Sequence, residues 1–183
     1  MEKVIISVLG PDKPGILAAI SKSLFSKHCN VENVSQTSLQ SEFAGIFIIS
    51  KPKELSTEEI QSHLNEALEP LDLHVHAKDL EAKDKDTVPP TEPFVITTGG
   101  PDRMGLVAEI TATIASYGVN ISNLQAVFKG GEDPKDNIMI YEVDVPINVD
   151  QQSLCKDLRD TADRLGLDIS IQHRNIFEAI NRI

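Results

Sequence analysis

"GPDKPGILAAI" (residues 10–20) returns ninety positions later as "GPDRMGLVAEI" (residues 100–110). The shift of 90 superposes Gly10 on Gly100, Pro11 on Pro101, Asp12 on Asp102 and Gly15 on Gly105. It continues without a gap through Ala18/Ala108, Ile20/Ile110, Ser26/Ser116, Asn30/Asn120 and Asn33/Asn123. Farther on the shift becomes 94, placing Leu64 on Leu158, Leu71 on Leu165 and Leu73 on Leu167. The four extra residues belong in "KGGEDPKDN" (129–137), where turn formers crowd. A repeat of this length is a domain rather than a solenoid unit, so the chain is a tandem duplication. The expected boundaries are a first domain over 1–79, a linker over 80–92 and a second domain over 93–183. "KDLEAKDKDTVPPTEP" (78–93) is charged, then proline-bearing, as a short semi-stiff linker is.

Each copy carries the same pattern. "KVIISVLG" and "PFVITTGG" are β-branched runs ending in glycine, which predicts strands buried on both faces. Ile16, Leu17, Ile20 and Leu24, like Leu106, Val107, Ile110 and Ile114, form one face of an amphipathic helix. Pro14 suits the first turn of that helix. Gly118 reads as a C-terminal stop, and His28 at the equivalent place implies a different ending in copy one. Two strands follow, near 31–40 and 43–51, and near 120–129 and 137–146, joined in copy one by "SLQSEFAG". Ser56 with Glu59 spells a capping box for a second helix, and Asp150 opens its counterpart. "LDLHVHA" and "LDISIQH" close the copies as alternating strands. The order βαββαβ predicts an α+β chain of two ferredoxin-like domains, each a four-stranded sheet with both helices on one face. The other sheet face then awaits a cover, from the second copy or another chain.

The 183 residues hold 28 acidic and 17 basic side chains, a net charge of −11. Duplex binding rests on Lys and Arg neutralising phosphates, so direct nucleic-acid binding is not expected. No apolar run approaches the length of a membrane helix, and the chain reads as cytoplasmic with no membrane partner. Cys29 and Cys155 form no metal or redox spacing and read as free thiols.

In both copies a strand ends at glycine, turns through Pro-Asp-basic-x-Gly and enters a helix. Helix N-termini leave backbone N–H groups unpaired and carry partial positive charge, so they attract anions. Gly15 and Gly105 allow close approach to the backbone. Asn30 and Asn120, expected beside the turn, offer an amide to an ammonium. N–H groups for a carboxylate and an amide for an amine fit a small amino acid. The alternative is purely structural: Asp12 and Asp102 cap the helix, and the glycines only permit a tight turn. Neither a dinucleotide fingerprint nor a P-loop is present.

A βαββαβ unit with the D-K-P-G-I-L or D-R-M-G-L-V turn, and an Asn30-Val31 or Asn120-Ile121 step after the helix, resembles the ACT domain. The two-copy architecture is similar to the glycine cleavage system transcriptional repressor group, and "ISIQHRNIFEAINRI" to the end of small single-ACT proteins. The resemblance implies a non-catalytic regulator that binds an amino acid, glycine or serine, at an interface between two units. It places the ligand on Asp12, Gly15, Ile16 and Asn30, and on Asp102, Gly105, Leu106 and Asn120. It further implies a homodimer acting through a protein partner, either a transcription factor or a metabolic enzyme of which this chain is a regulatory subunit. No cofactor is expected. A scaffold with dead pockets is the third reading.

No catalytic constellation is evident. His74 and His76 alternate on one strand without a third ligand, and Cys29 beside His28 is no dyad. "RNIFEAINRI" carries Ile176, Phe177, Ile180 and Ile183 at helical spacing, a short C-terminal helix that packs on its own domain, across a dimer or on another protein.

Overall fold

A computed structural model describes residues 2–81, 89–128 and 137–176, which form two compact units, Met1–Asp84 and Lys85–Ile183. The first contains β1 (Glu2–Pro11), α1 (Ile16–Ser26), β2 (Asn30–Leu39), β3 (Glu42–Lys51), α2 (Thr57–Leu68) and β4 (His74–Asp79), with a 3-10 turn over Glu69–Leu71. The second repeats the order as β5 (Thr91–Gly100), α3 (Leu106–Ser116), β6 (Asn120–Phe128), β7 (Asn137–Pro146), α4 (Gln151–Leu165) and β8 (Asp168–His173). The sheets run β2-β3-β1-β4 and β6-β7-β5-β8, every described neighbour antiparallel. The chain is α+β, two ferredoxin-like units in tandem, as its pattern predicts. The insertion loop, apart from Asn137, and Phe177, Ile180 and Ile183 of the C-terminal stripe lie outside the described residues.

Each core lies between one sheet face and two helices. In the first unit Val4, Ile6 and Val8 of β1 and Phe47 and Ile49 of β3 meet Ile16, Ile20 and Leu24 of α1 and Ile60, Leu64 and Leu68 of α2. Steps of four keep each helix's apolar residues on one stripe, and steps of two keep the strand's on one face. The Ser56–Glu59 capping box forms in both directions. Asp150 caps α4 by accepting from the N–H groups of Gln152 and Ser153. Cys29 and Cys155 are free, and burial pushes the Cys29 thiol up.

Three expectations change. β1 is buried on one face only: Ile5 is half-buried and Leu9 is 55% exposed, because no helix covers that side. Pro14 precedes α1, whose N-cap is Gly15. His28 ends α1 much as Gly118 ends α3, by turning left-handed, with φ of 57° against 67°. Its N–H bonds the Phe25 carbonyl and that of Cys29 the Leu24 carbonyl, closing the helix. A β-carbon is disfavoured in that conformation by about 1 kcal/mol or more. His28→Gly is therefore expected to raise the stability of the first unit by about 1 kcal/mol in urea unfolding; a lower midpoint would show that the exposed imidazole earns its place.

Candidate functional site

The β1–α1 turn is held on two sides. The Asp12 N–H donates to the Ser41 carbonyl of the β2–β3 hairpin at 2.8 Å. The Lys13 ammonium donates to the Leu71 carbonyl, at the end of the 3-10 turn after α2, at 3.1 Å. In the second unit Arg103 reaches the Leu165 carbonyl at the end of α4 in the same way. A cation on terminal helix carbonyls is favourable in both cases. This clamp role of the basic residue was missed by the sequence reading. Its partner lies about sixty residues away, and only the repetition of a basic residue at that position could have hinted at it.

Gly15 and Gly105 adopt left-handed conformations, φ 98° and 93°, and serve as N-caps without any side-chain cap. Asp12 and Asp102 are not caps of these helices. The first intrahelical bonds run from Ala19 N–H to the Gly15 carbonyl and from Glu109 N–H to the Gly105 carbonyl. Helix geometry leaves the N–H groups of Ile16, Leu17 and Ala18, and of Leu106, Val107 and Ala108, without intrahelical acceptors. Nothing lies within 4 Å of a β-carbon built at either glycine, so the approach is open. Ile16 and Leu106 are each 3% exposed with side chains in the cores, and only their backbone can meet a ligand. The neighbours Leu17 and Val107, half-exposed, flank the turn, with Met104 fully exposed beside Arg103 in the second copy.

Asn30 and Asn120 are not brought beside their own turns. Asn30 pairs with Ser50, and Ser50 with Lys3 at the beginning of β1, whereas Gly10 pairs with Phe43 at the other end. In the second unit Asn120 sits opposite Asp144, itself opposite Pro93, far from Gly100. From Lys3 to Gly10 the strand covers about 23 Å at ~3.3 Å per residue. The cause is the crossover: the helix carries the chain back along β1, so β2 starts where β1 starts. Within one unit the carboxylate and amine contacts therefore do not form one pocket.

Comparison with known families decides the fold's lineage. The model of the ACT domain matches residues 2–78 and again 92–172, one match per unit. The chain belongs to the ACT domain family, one of small regulatory modules. The UPF0237 protein of Methanosarcina acetivorans is 32% identical over 98 residues, covering 49% of this chain and 95% of that protein. That of Methanococcus maripaludis is 37% identical over 92 residues, covering 50% and 99%. An unknown protein from Galdieria sulphuraria superposes with a TM-score of 0.78 at 25% identity, over 94% of this chain and 98% of that one. A protein provisionally assigned as a glycine cleavage system transcriptional repressor superposes with a TM-score of 0.70 over 93% and 96%; at 17% identity that likeness concerns the fold.

The helix layers of the two ACT units differ in chemistry. In the first, Ser26 Oγ and His63 Nε2 stand 3.2 Å apart, the geometry of a nucleophile and its base. The serine hydroxyl also lies 2.7 Å from the Ser23 carbonyl, and when its proton is given there the contact with His63 is completed by the tautomer that carries its proton on Nε2. The equivalent residues of the second unit are Ser116 and Asp157, and Asp157 accepts from the Tyr117 hydroxyl at 2.6 Å, pushing that phenol up to about 12. No described helix is long and apolar enough to cross a membrane.

Proposed function

We propose that the protein is a non-catalytic amino-acid sensor, in which the α-carboxylate of a small amino acid binds the uncapped N–H groups that follow Gly15 or Gly105. The observation that carries this reading is the pairing of an uncapped helix start with open space at both turns. Family membership supports a regulatory role. The turn is also wired for output: a ligand drawing on its N–H groups acts through Asp12 on the β2–β3 hairpin and through Lys13 on the end of α2. The acidic net charge of −11 favours a route through a protein partner, of the transcriptional kind, over contact with DNA. The same sensor serving as a regulatory subunit of a metabolic enzyme rests on the same turns and differs only in the partner. The ligand residues are then Asp12, Gly15 and Ile16, and Asp102, Gly105 and Leu106, with Asn30 and Asn120 outside the pocket of their own unit.

Calorimetry with glycine, serine and the other common amino acids tests the reading. Heat is expected with one or a few of them. Leu17→Asp and Val107→Asp place a carboxylate over the free N–H groups, occupying them and repelling a second anion while favouring the helix start. Each is expected to weaken binding at its own turn at least ~10-fold, a loss of about 1.4 kcal/mol, with no loss of melting temperature. Asn120→Ala is expected to leave the Gly105 turn's affinity unchanged. Heat that persists in the doubly substituted protein, or none with any amino acid, would refute the sensor reading.

A further inference from the structure

The β2–β3 hairpin of the first unit turns on two residues, Gln40 and Ser41, with Leu39 paired to Glu42. Both turn residues are left-handed, with φ of 49° and 69°. Two-residue hairpin loops favour that geometry because its twist matches the strands, and Asn-Gly or Asp-Gly normally fills them. Glutamine and serine are disfavoured there, since the β-carbon crowds the following carbonyl. β1 pairs with β3 as far as Pro11 opposite Glu42, and Asp12 continues that register by donating its N–H to the Ser41 carbonyl at 2.8 Å. The last rung of the sheet is thus shared between a strained hairpin tip and the turn that leads to Gly15. Just below the tip, Phe43 is 3% exposed and belongs to the core. The tip is able to let go while the rest of the hairpin stays anchored.

Strain of this kind persists only where the surroundings hold it, and it clusters at ligand clamps and switches. We propose that Gln40 and Ser41 are positioning residues for the Gly15 turn, which binds only while their strained tip is closed on Asp12, a role that rests on the sensor reading of that turn. The turn has two anchors, Asp12 on the hairpin and Lys13 on the Leu71 carbonyl. Without the Ser41 contact the segment from Asp12 to Gly15 keeps only the flexible lysine. It then no longer holds clear of the N–H groups of Ile16, Leu17 and Ala18. A ligand's affinity is reduced by the fraction of molecules outside the competent state, and the ligand in turn favours that state. Such coupling is reciprocal. Bound amino acid therefore closes the tip, and the edge strand β2, which ends at it, registers occupancy.

Amide exchange at Asp12, followed by NMR on the full chain, reads the opening, and calorimetry reads the affinity. Both are run on a Val107→Asp background, where the second turn is blocked, with glycine, serine and the other common amino acids titrated one at a time. Gln40→Asn with Ser41→Gly supplies the residues this turn prefers and is expected to slow exchange at Asp12 ~10-fold. The dissociation constant at the first turn is expected to fall by no more than about 2-fold, because most molecules are closed already. Gln40→Val with Ser41→Val puts β-branched side chains at the same positions. That pair is expected to speed exchange at least ~10-fold and to raise the dissociation constant at least ~3-fold.

A hairpin with a merely architectural role would shift the unfolding midpoint in both variants and leave the affinity where it was. Bound amino acid is also expected to slow exchange at Asp12 in the background protein itself. Exchange that is the same in the first variant as in the background, or a measurable affinity that is equal in all three proteins, would overturn the proposal. Heat from no amino acid refutes the sensor reading instead, and exchange at Asp12 still decides whether the tip opens.

Discussion

Gly10→Ala is expected to cost the first unit about 3 kcal/mol, at the upper end of what forced overpacking does. A β-carbon on Gly10 would stand 2.5 Å from the Asp72 carbonyl oxygen, a backbone atom, and 3.0 Å from Leu73 Cδ2. The backbone of the α2–β4 turn has to move, and Leu73, 5% exposed, moves with it out of the core. Gly100→Ala is the milder counterpart. Its β-carbon would meet Leu167 Cδ2 at 2.8 Å and the Gly166 carbonyl at 3.1 Å, so the nearest atom is the end of a flexible side chain. About 1 kcal/mol is expected there. The Gly10 variant carries a second consequence, because displacing Asp72 disturbs Leu71, whose carbonyl holds Lys13. Amino-acid binding at the first turn is therefore expected to weaken together with stability. Urea unfolding compares the two variants, and equal midpoints would show that the close approach of the two turns carries no weight.

These glycines also show what the sequence discloses and what it withholds. The duplication is legible because both copies kept their spacing, and the periods of two and four survive as the buried stripes of β1, α1 and α2. Gly10 and Gly100 stand out as repeated letters, yet their reason is a tertiary approach by residues some sixty positions away, which no local pattern encodes. Ile5 misleads for a related reason: beside Val4 and Ile6 it continues an apolar run, but whether its face is covered depends on what packs there. Asn30 is another matter. Two strands joined by a returning helix must run parallel to each other, so β2 begins at the end of the sheet remote from the turn. That consequence follows from the element order alone. The turns at Gly15 and Gly105 were legible, but the sequence left open whether Asp12 and Asp102 cap the helices, and the structure shows no side-chain cap; the clamps, Lys13 and Arg103, became legible only once α2 and α4 were seen to end beside the turns.

The two cores differ at a polar pair on their central strands, and mirror substitutions there are expected to move stability in opposite directions. Val8 and Phe47 of the first unit correspond to Thr98 and Tyr141 of the second, all four nearly or wholly buried. The Tyr141 hydroxyl gives its proton to Met139 Sδ at 3.4 Å, and burial pushes that phenol up. Thr98 lies close enough to moderate this rise, but its hydroxyl has no partner of hydrogen-bonding geometry among the described residues. A buried hydroxyl without a partner costs about 1–3 kcal/mol. Thr98→Val replaces that oxygen with a methyl group of similar size, as the first unit already does with Val8. It is expected to stabilise the second unit by about 1–2 kcal/mol. Val8→Thr carries the cost the other way: Phe47 offers no acceptor, and a loss of about 2 kcal/mol is expected in the first unit. Differential scanning calorimetry of both variants gives the two signs in one comparison. If Thr98→Val destabilises instead, the hydroxyl has a partner in solution, and Tyr141 with Thr98 forms a satisfied network that the second unit keeps for a reason other than packing.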